Sequence, residues 1–210
     1  MPWWERQAGG MEEADLVSQY EGTYARDDII RLVPPSGRVL DVGCAGGETG
    51  LKLKAQGTVR EVWGVEIFEP ACEIAGRKLD HVICADADEL DGLPPGHFDG
   101  MICSDLLEHL KNPQAFLERA REWLVPDGWV VTHIPNVAHY SVIRKLLRGR
   151  WDYTVEGIQA AAHLRFFARP NIVELFETAG YRIETLQGAA DGKLLERYRS
   201  FGYWVLARRR

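Results

Sequence analysis

The chemistry of this chain is concentrated in a few acids and small residues at the ends of apolar runs. Asp41 closes the run Val39-Leu40-Asp41-Val42, and Gly43-Cys44-Ala45-Gly46-Gly47 follows before Glu48-Thr49-Gly50-Leu51-Lys52-Leu53 resumes with helical spacing. Small side chains at such a turn let backbone approach a bound ligand closely. A dinucleotide turn reads G-x-G-x-x-G, whereas Ala45 stands at the second of those positions and Glu48 at the third. A carboxylate opening the helix also repels phosphate where a helix N-terminus would hold it. The ligand expected here is therefore nucleotide-like, cationic and free of phosphate. Glu66 ends a second apolar run 23 positions after Gly43, where a carboxylate can accept both hydroxyls of a ribose.

These residues need a scaffold that brings strand ends together. Apolar runs predict strands over 38–43, 60–66, 80–85, 98–103 and 128–134, with helices over 47–56, 69–78 and 112–124 between pairs of them. Strands alternating with helices of this length imply an α/β fold, a parallel sheet covered on both faces. Its ligand belongs at the carboxyl ends of the strands, near the topological switch point. A helix over 170–179, ended by Gly180, precedes strands near 181–186 and 202–208. A short connection between those two would make the last strand antiparallel, giving a mixed sheet of about seven strands. Residues 136–168 break the alternation with Asn136, His139, Tyr140, Trp151, Tyr153, His163, Phe166 and Phe167. This stretch is read as an insertion after the fifth strand that lies over the site as a lid. Residues 1–36 are read as an N-terminal helical cap on the domain formed by 37–210.

Bulk properties set the boundaries. The chain has 210 residues, 46% of them hydrophobic and 27% charged, which suits one domain with a substantial core. A net charge of −6 argues against broad nucleic-acid binding, which needs a cationic face. Arg144, Lys145, Arg148 and Arg150 form a local basic segment, read as the solvated face of a helix or as an anion-binding rim of a substrate pocket. No two of Cys44, Cys72, Cys84 and Cys103 are spaced as a CxxC pair. All four are expected to be reduced thiols. With no apolar leader or membrane-length run in the sequence, the chain is expected to be cytoplasmic, with no membrane insertion. The oligomeric state is left open, a homodimer being compatible.

Five pieces in order carry a family resemblance. The turn led by Asp41, the acid-ended Val62-Trp63-Gly64-Val65-Glu66, the strand end Val82-Ile83-Cys84-Ala85-Asp86-Ala87, the segment Phe98 to Leu110, and Leu124-Val125-Pro126-Asp127-Gly128 resemble the motifs of class I S-adenosylmethionine-dependent methyltransferases. The resemblance implies a Rossmann-like fold, S-adenosylmethionine as cofactor and S-adenosylhomocysteine as product. It places Glu66 on the ribose and Asp86 on the adenine amino group. It draws Asp41, Gly43, Cys44, Ala45, Gly47, Ile67, Ala87 and Ser104 into the same cofactor site. Asp127 stands where the family commonly has glycine. Beyond the core, Ile134-Pro135-Asn136, Gly149-Arg150-Trp151-Asp152-Tyr153 and His163-Leu164-Arg165-Phe166-Phe167 look like a bacterial subgroup that often accompanies glycosyltransferases. Tyr20 and Tyr24-Ala25-Arg26 match residues that this subgroup carries before its first strand, which adds Tyr24 to the expected cofactor contacts. One departure stands out: this chain reads Ile158-Gln159-Ala160-Ala161-Ala162 where relatives carry a Leu-Asp-Arg-Thr-like segment.

Methyl transfer needs alignment of an acceptor with the cofactor's methyl group, exclusion of water and, for an oxygen acceptor, removal of a proton. His109, His139 and His163 fall in the loop after the fourth strand or in the lid and are the candidate bases, with Glu108 beside His109 to orient its ring or raise its pKa. His133, at a strand end, belongs to the same group of histidines. Asp105, Glu108 and His109 at i, i+3 and i+4 resemble the acidic cluster with which some quinone and RNA methyltransferases hold a divalent ion, but a further ligand is not evident and no metal is expected. The leading reading is a methyltransferase acting on oxygen or nitrogen of a small-molecule acceptor, glycan-like, lipid-linked or a secondary metabolite. The alternative is a binding module that keeps the cofactor and has lost transfer, consistent with Ala160-Ala161-Ala162. A nucleotide-dependent oxidoreductase is disfavoured by the altered turn and Asp86, and a nucleic-acid methyltransferase by the acidic balance.

Overall fold

The computed structural model describes residues 24–210 apart from 191, 193 and 194. Tyr20 and most of the expected N-terminal cap lie outside the described residues. Within them a short helix α1 (Asp27–Ile30) precedes β1 (Ser36–Val42), α2 (Glu48–Ala55), β2 (Val59–Glu66), α3 (Glu69–Gly76), β3 (His81–Cys84) and β4 (Phe98–Ile102). Then come α4 (Pro113–Trp123), β5 (Leu124–Pro135), α5 (Tyr140–Leu146), α6 (Arg169–Thr178), β6 (Tyr181–Gly188), α7 (Glu196–Arg199) and β7 (Gly202–Arg209).

The seven strands form one sheet in the order β3-β2-β1-β4-β5-β7-β6. Strands β1 to β5 pair in parallel, and β7 runs antiparallel between β5 and β6. The order reverses between β1 and β4, so the switch point lies where Asp41 and the loop after β4 emerge. Apolar residues of the central strands alternate between two cores, as a sheet covered on both faces requires. Leu40, Val42, Met101 and Val130 pack on one side, while Val39, Ile102, Trp129 and Val131 pack on the other.

Local chemistry explains the boundaries. Asn112 accepts the Ala115 N–H at 3.1 Å and Pro113 occupies the first turn, so α4 starts there. Its Phe116, Leu117, Ala120 and Trp123 form the buried stripe. Gly100 is dictated by packing, because a Cβ there would lie 1.9 Å from the Trp129 ring. The expected strands and helices are all present with small shifts at their ends, except that β5 starts at Leu124, inside the stretch read as the turn before it. The connection 189–201 between β6 and β7 is longer than the short one expected, and carries α7.

The thiol expectation is corrected. Cys72 and Cys84 form a disulfide with a Cα–Cα separation of 5.8 Å, ordinary for such a bond, while Cys44 and Cys103 are free and buried. The pair is 12 residues apart, outside any CxxC spacing. It meets because α3 folds back beside β3 so that its first turn lies against the end of that strand.

Candidate functional site

The turn after β1 folds toward β2: the N–H groups of Gly43 and Cys44 both donate to the Val65 carbonyl, at 2.8 and 3.1 Å. Gly43, Ala45 and Gly47 all have positive φ, at 76°, 49° and 84°. Ala45 is the strained member, since an L side chain disfavours that region. Its N–H donates to Oε2 of Glu66 at 3.0 Å, while Oε1 accepts the Ile67 and Phe68 amides at 2.8 and 3.0 Å. A carboxylate offers about four acceptor directions, so Oε2 is the oxygen left freer to meet a ligand.

Around this acid lies a cavity of about 460 Å³, lined by Gly43, Ala45, Glu66, Ile67, Asp86, Ala87, Ser104, Asp105, Leu106 and His109 among others. Its size suits a nucleoside-sized ligand. A smaller lobe of about 200 Å³ shares Gly43, Ala45, Ser104 and Asp105 with it and adds Tyr24, Arg26, Asp41, Cys44 and Thr49. The expected cofactor residues are thus collected on two adjoining lobes, apart from Gly47, which faces Leu79 and Ala75 behind the turn. A larger hollow of about 670 Å³ near Arg169 and Tyr203 contains none of these acids. Asp41 is buried, and burial together with the Glu66 charge raises its pKa to about 7. The cluster of acids suits a ligand carrying positive charge. Glu48, expected to repel phosphate, is instead ion-paired with Lys78, which also donates to the Gly46 carbonyl at 2.8 Å. The argument against phosphate therefore rests on Asp41, Glu66 and the turn.

Arg26 was not anticipated as a site residue. It holds Asp28 through two hydrogen bonds of 2.9 and 2.8 Å and forms an ion pair with Asp105 in the smaller lobe. Asp105 has φ of 51° and accepts a 2.6 Å hydrogen bond from Nδ1 of His133. Burial opposes ionisation of Asp105, but His133 and Arg26 outweigh it and hold the acid at about 2. The only sequence signal for Arg26 was its place in Tyr24-Ala25-Arg26, because its partner Asp105 is 79 positions away. His133 is confined by this bond, by the Trp204 ring at 5.0 Å and by Gly202, where a Cβ would lie 2.2 Å from Nε2. It is a packed residue of the sheet.

Three of the four catalytic candidates come together. His109, His163 and Glu108 bring their ligating atoms within 4.8 Å of one another, and the two imidazoles meet edge to face at 4.8 Å. His109 Nδ1 lies 3.2 Å from the Ala162 carbonyl and His163 Nδ1 lies 3.2 Å from the Ile158 carbonyl. A carbonyl only accepts, so both Nδ1 atoms carry the proton and both Nε2 atoms present lone pairs. Burial lowers the pKa of His109, and burial and the neighbouring His109 lower that of His163, so both are neutral bases near pH 7. The carboxylate expected to orient His109 does not: Glu108 is buried with neither oxygen hydrogen-bonded among the described residues, and the Ala162 carbonyl orients the ring. Burial and the Asp105 charge push Glu108 up to about 8. The departing segment 158–162 thus contributes backbone carbonyls, which its alanines supply as well as any residue would. His139 is not brought to the cleft. It caps α5, with Nδ1 2.8 Å from Ser141 Oγ and its ring against Tyr140 and Phe201.

The metal-capable set also differs from the one weighed in the sequence. Asp105 turns to Arg26 and His133, and His163 of the 136–168 stretch takes its place beside Glu108 and His109. Two imidazoles and a carboxylate are a donor set that a divalent ion such as zinc or manganese accepts.

Comparison with known proteins adds to this geometry. A family model described as a methyltransferase domain matches residues 17–186. The ubiquinone biosynthesis O-methyltransferase of Thiobacillus denitrificans is 27% identical over 179 residues, covering 77% of this chain and 72% of that protein. Among solved structures, a SAM-dependent methyltransferase from Archaeoglobus fulgidus superposes with a TM-score of 0.64 at 21% identity, covering 98% of this chain and 97% of the other. The 1,6-didemethyltoxoflavin-N1-methyltransferase of Burkholderia thailandensis, solved with bound 1,6-didemethyltoxoflavin and S-adenosylhomocysteine, superposes with a TM-score of 0.63 at 20% identity over 93% of this chain and 86% of that one. These last two likenesses carry the fold alone.

Proposed function

The chain belongs to the methyltransferase family and takes S-adenosylmethionine as its cofactor, and from that premise we propose that it methylates an oxygen atom of a small-molecule acceptor. When bound, the cofactor supplies a methyl group already electrophilic on a sulfonium. The protein's part is to bind, align, exclude water and manage a proton. Glu66 accepts from the ribose, with Oε2 the leading acceptor, and Asp86 accepts from the adenine amino group. Asp41 and the surrounding acids offset the positive charge of the cofactor.

The observation that carries the oxygen acceptor is the orientation of His109. Its Nδ1 proton points to the Ala162 carbonyl, which leaves Nε2 as a lone-pair base beside the larger lobe. Nε2 takes the acceptor's hydroxyl proton as the oxygen attacks the methyl carbon. His109 would end the transfer holding the acceptor's proton, which balances the positive charge that the cofactor would bring when bound. His163 packs edge-on against this ring and keeps it in place. A ring hydroxyl is the favoured acceptor, consistent with a relative named for ubiquinone biosynthesis O-methylation.

A screen with methyl-labelled S-adenosylmethionine tests this. Catechols, simple phenols, sugars and amines are offered separately, and label is expected on a hydroxyl-bearing member. Label on amines alone would replace the oxygen reading with a nitrogen one. S-adenosylhomocysteine binding without transfer to any member would favour the binding module.

A further inference from the structure

The Cys72–Cys84 bond lies directly behind the nucleoside lobe. Sγ of Cys72 sits 3.3 Å from the carbonyl oxygen of Glu66, and Sγ of Cys84 sits 4.0 Å from that of Ile67. The same Glu66 carbonyl accepts the Ala85 N–H at 2.9 Å, and Asp86 follows one residue later. The bond therefore joins the two segments that carry the acceptors for ribose and adenine, the end of β2 with the start of α3 on one side and the end of β3 on the other. Among the described residues strand β3 is at the edge of the sheet and pairs only with β2, so no other described strand fixes its distance from α3.

We propose that Cys72 and Cys84 are a reversible dithiol–disulfide switch that sets the affinity of the nucleoside lobe, the disulfide form binding the cofactor more tightly. The inference rests on the reading of Glu66 and Asp86 as nucleoside acceptors. Preorganisation gives the direction: a cross-link that holds both acceptors at one spacing removes ordering that binding must otherwise supply. Cys84 is exposed and Cys72 is nearly buried, so one sulfur is open to attack and the other is the resolving partner. With a small disulfide such as oxidised glutathione, the Cys84 thiolate attacks one sulfur and releases one glutathione thiol. The Cys72 thiolate then displaces the second glutathione from Cys84. Two protein thiols are oxidised, one glutathione disulfide is reduced, and two glutathione thiols leave with the two protons. The other two cysteines do not compete: both are buried, and burial pushes the Cys103 thiol up to about 12, which denies it the thiolate that exchange needs.

The test uses the full chain in two states, one equilibrated with oxidised glutathione and one with excess dithiothreitol. Alkylation and mass spectrometry count free thiols, and calorimetry titrates S-adenosylhomocysteine into each. The oxidised form should have two fewer free thiols and bind about three- to tenfold more tightly. Cys84→Ser, a change at an exposed position, should match the reduced wild type and ignore dithiothreitol. Equal affinities in the two states, or alkylation of both Cys72 and Cys84 after oxidation, would overturn the switch while leaving the cofactor site standing. Failure to bind S-adenosylhomocysteine in either state would overturn the site reading, and the switch with it.

Discussion

Ala45 donates its N–H to the Glu66 carboxylate at 3.0 Å while holding φ at 49°. The turn after β1 and the acid that ends β2 are thus one unit. A left-handed alanine costs about 1–2 kcal/mol, and a hydrogen bond to a charged group contributes about 1.5–3 kcal/mol, so the bond is strong enough to hold the strained residue. Glycine at this position would remove the strain, and alanine makes the turn depend on the acid it faces.

Cofactor affinity should depend on pH through Asp41. Its pKa lies at about 7, and a cationic ligand favours the ionised form. Calorimetric affinity for S-adenosylmethionine, which carries the sulfonium charge, should fall toward tenfold per pH unit below about 7 and level off above it. The cofactor-free protein should show the opposite trend. Asp41's pKa is raised from 3.8 to about 7 on folding, so the folded chain holds the extra proton and Asp41's contribution to stability declines as pH climbs through that window. A flat affinity profile between pH 6 and 8 would remove Asp41 from the ligand's surroundings.

His109→Gln should lower kcat by about 10²- to 10⁴-fold, the range for loss of a general base. The wild-type rate should rise with pH through a midpoint below 6.5, since burial lowers this pKa, and then reach a plateau. Treatment with a chelator should leave the rate unchanged. Loss of activity on chelation, restored by a divalent cation, would reassign Glu108, His109 and His163 from proton transfer to metal ligation.

Gly100→Ala should destabilise the chain by about 1–3 kcal/mol or more, the scale of overpacking, because the new methyl group meets the Trp129 ring. Denaturant unfolding measures it. Full stability would mean that Trp129 does not lie across β4 at that point.

The fold was legible because β1 to β4 are short apolar runs closed by small or acidic residues, and α4 carries a local start signal in Asn112-Pro113. The two lobes proposed to hold the cofactor were legible for the same reason: Asp41, Glu66 and Asp86 lie at strand ends, and a parallel sheet gathers strand ends. Contacts set by tertiary packing were not legible. Arg26 meets Asp105 across 79 positions, and Lys78 neutralises Glu48 across 30. Cys72 and Cys84 meet only because α3 returns along β3. The three histidines read alike in sequence, yet the fold of residues 136–168 places His163 on His109 and turns His139 to Phe201.

The measurement that bears most directly on the account is calorimetric titration of S-adenosylhomocysteine and of NAD into the wild type and Glu66→Ala. The account predicts that the wild type binds S-adenosylhomocysteine and not NAD, and that the substitution weakens binding by about 1.5–3 kcal/mol, the scale of hydrogen bonds to a charged group, which is roughly 10- to 150-fold. Circular dichroism on the same samples checks that the variant remains folded. An unchanged affinity in a folded Glu66→Ala variant, or binding of NAD alone, would contradict it.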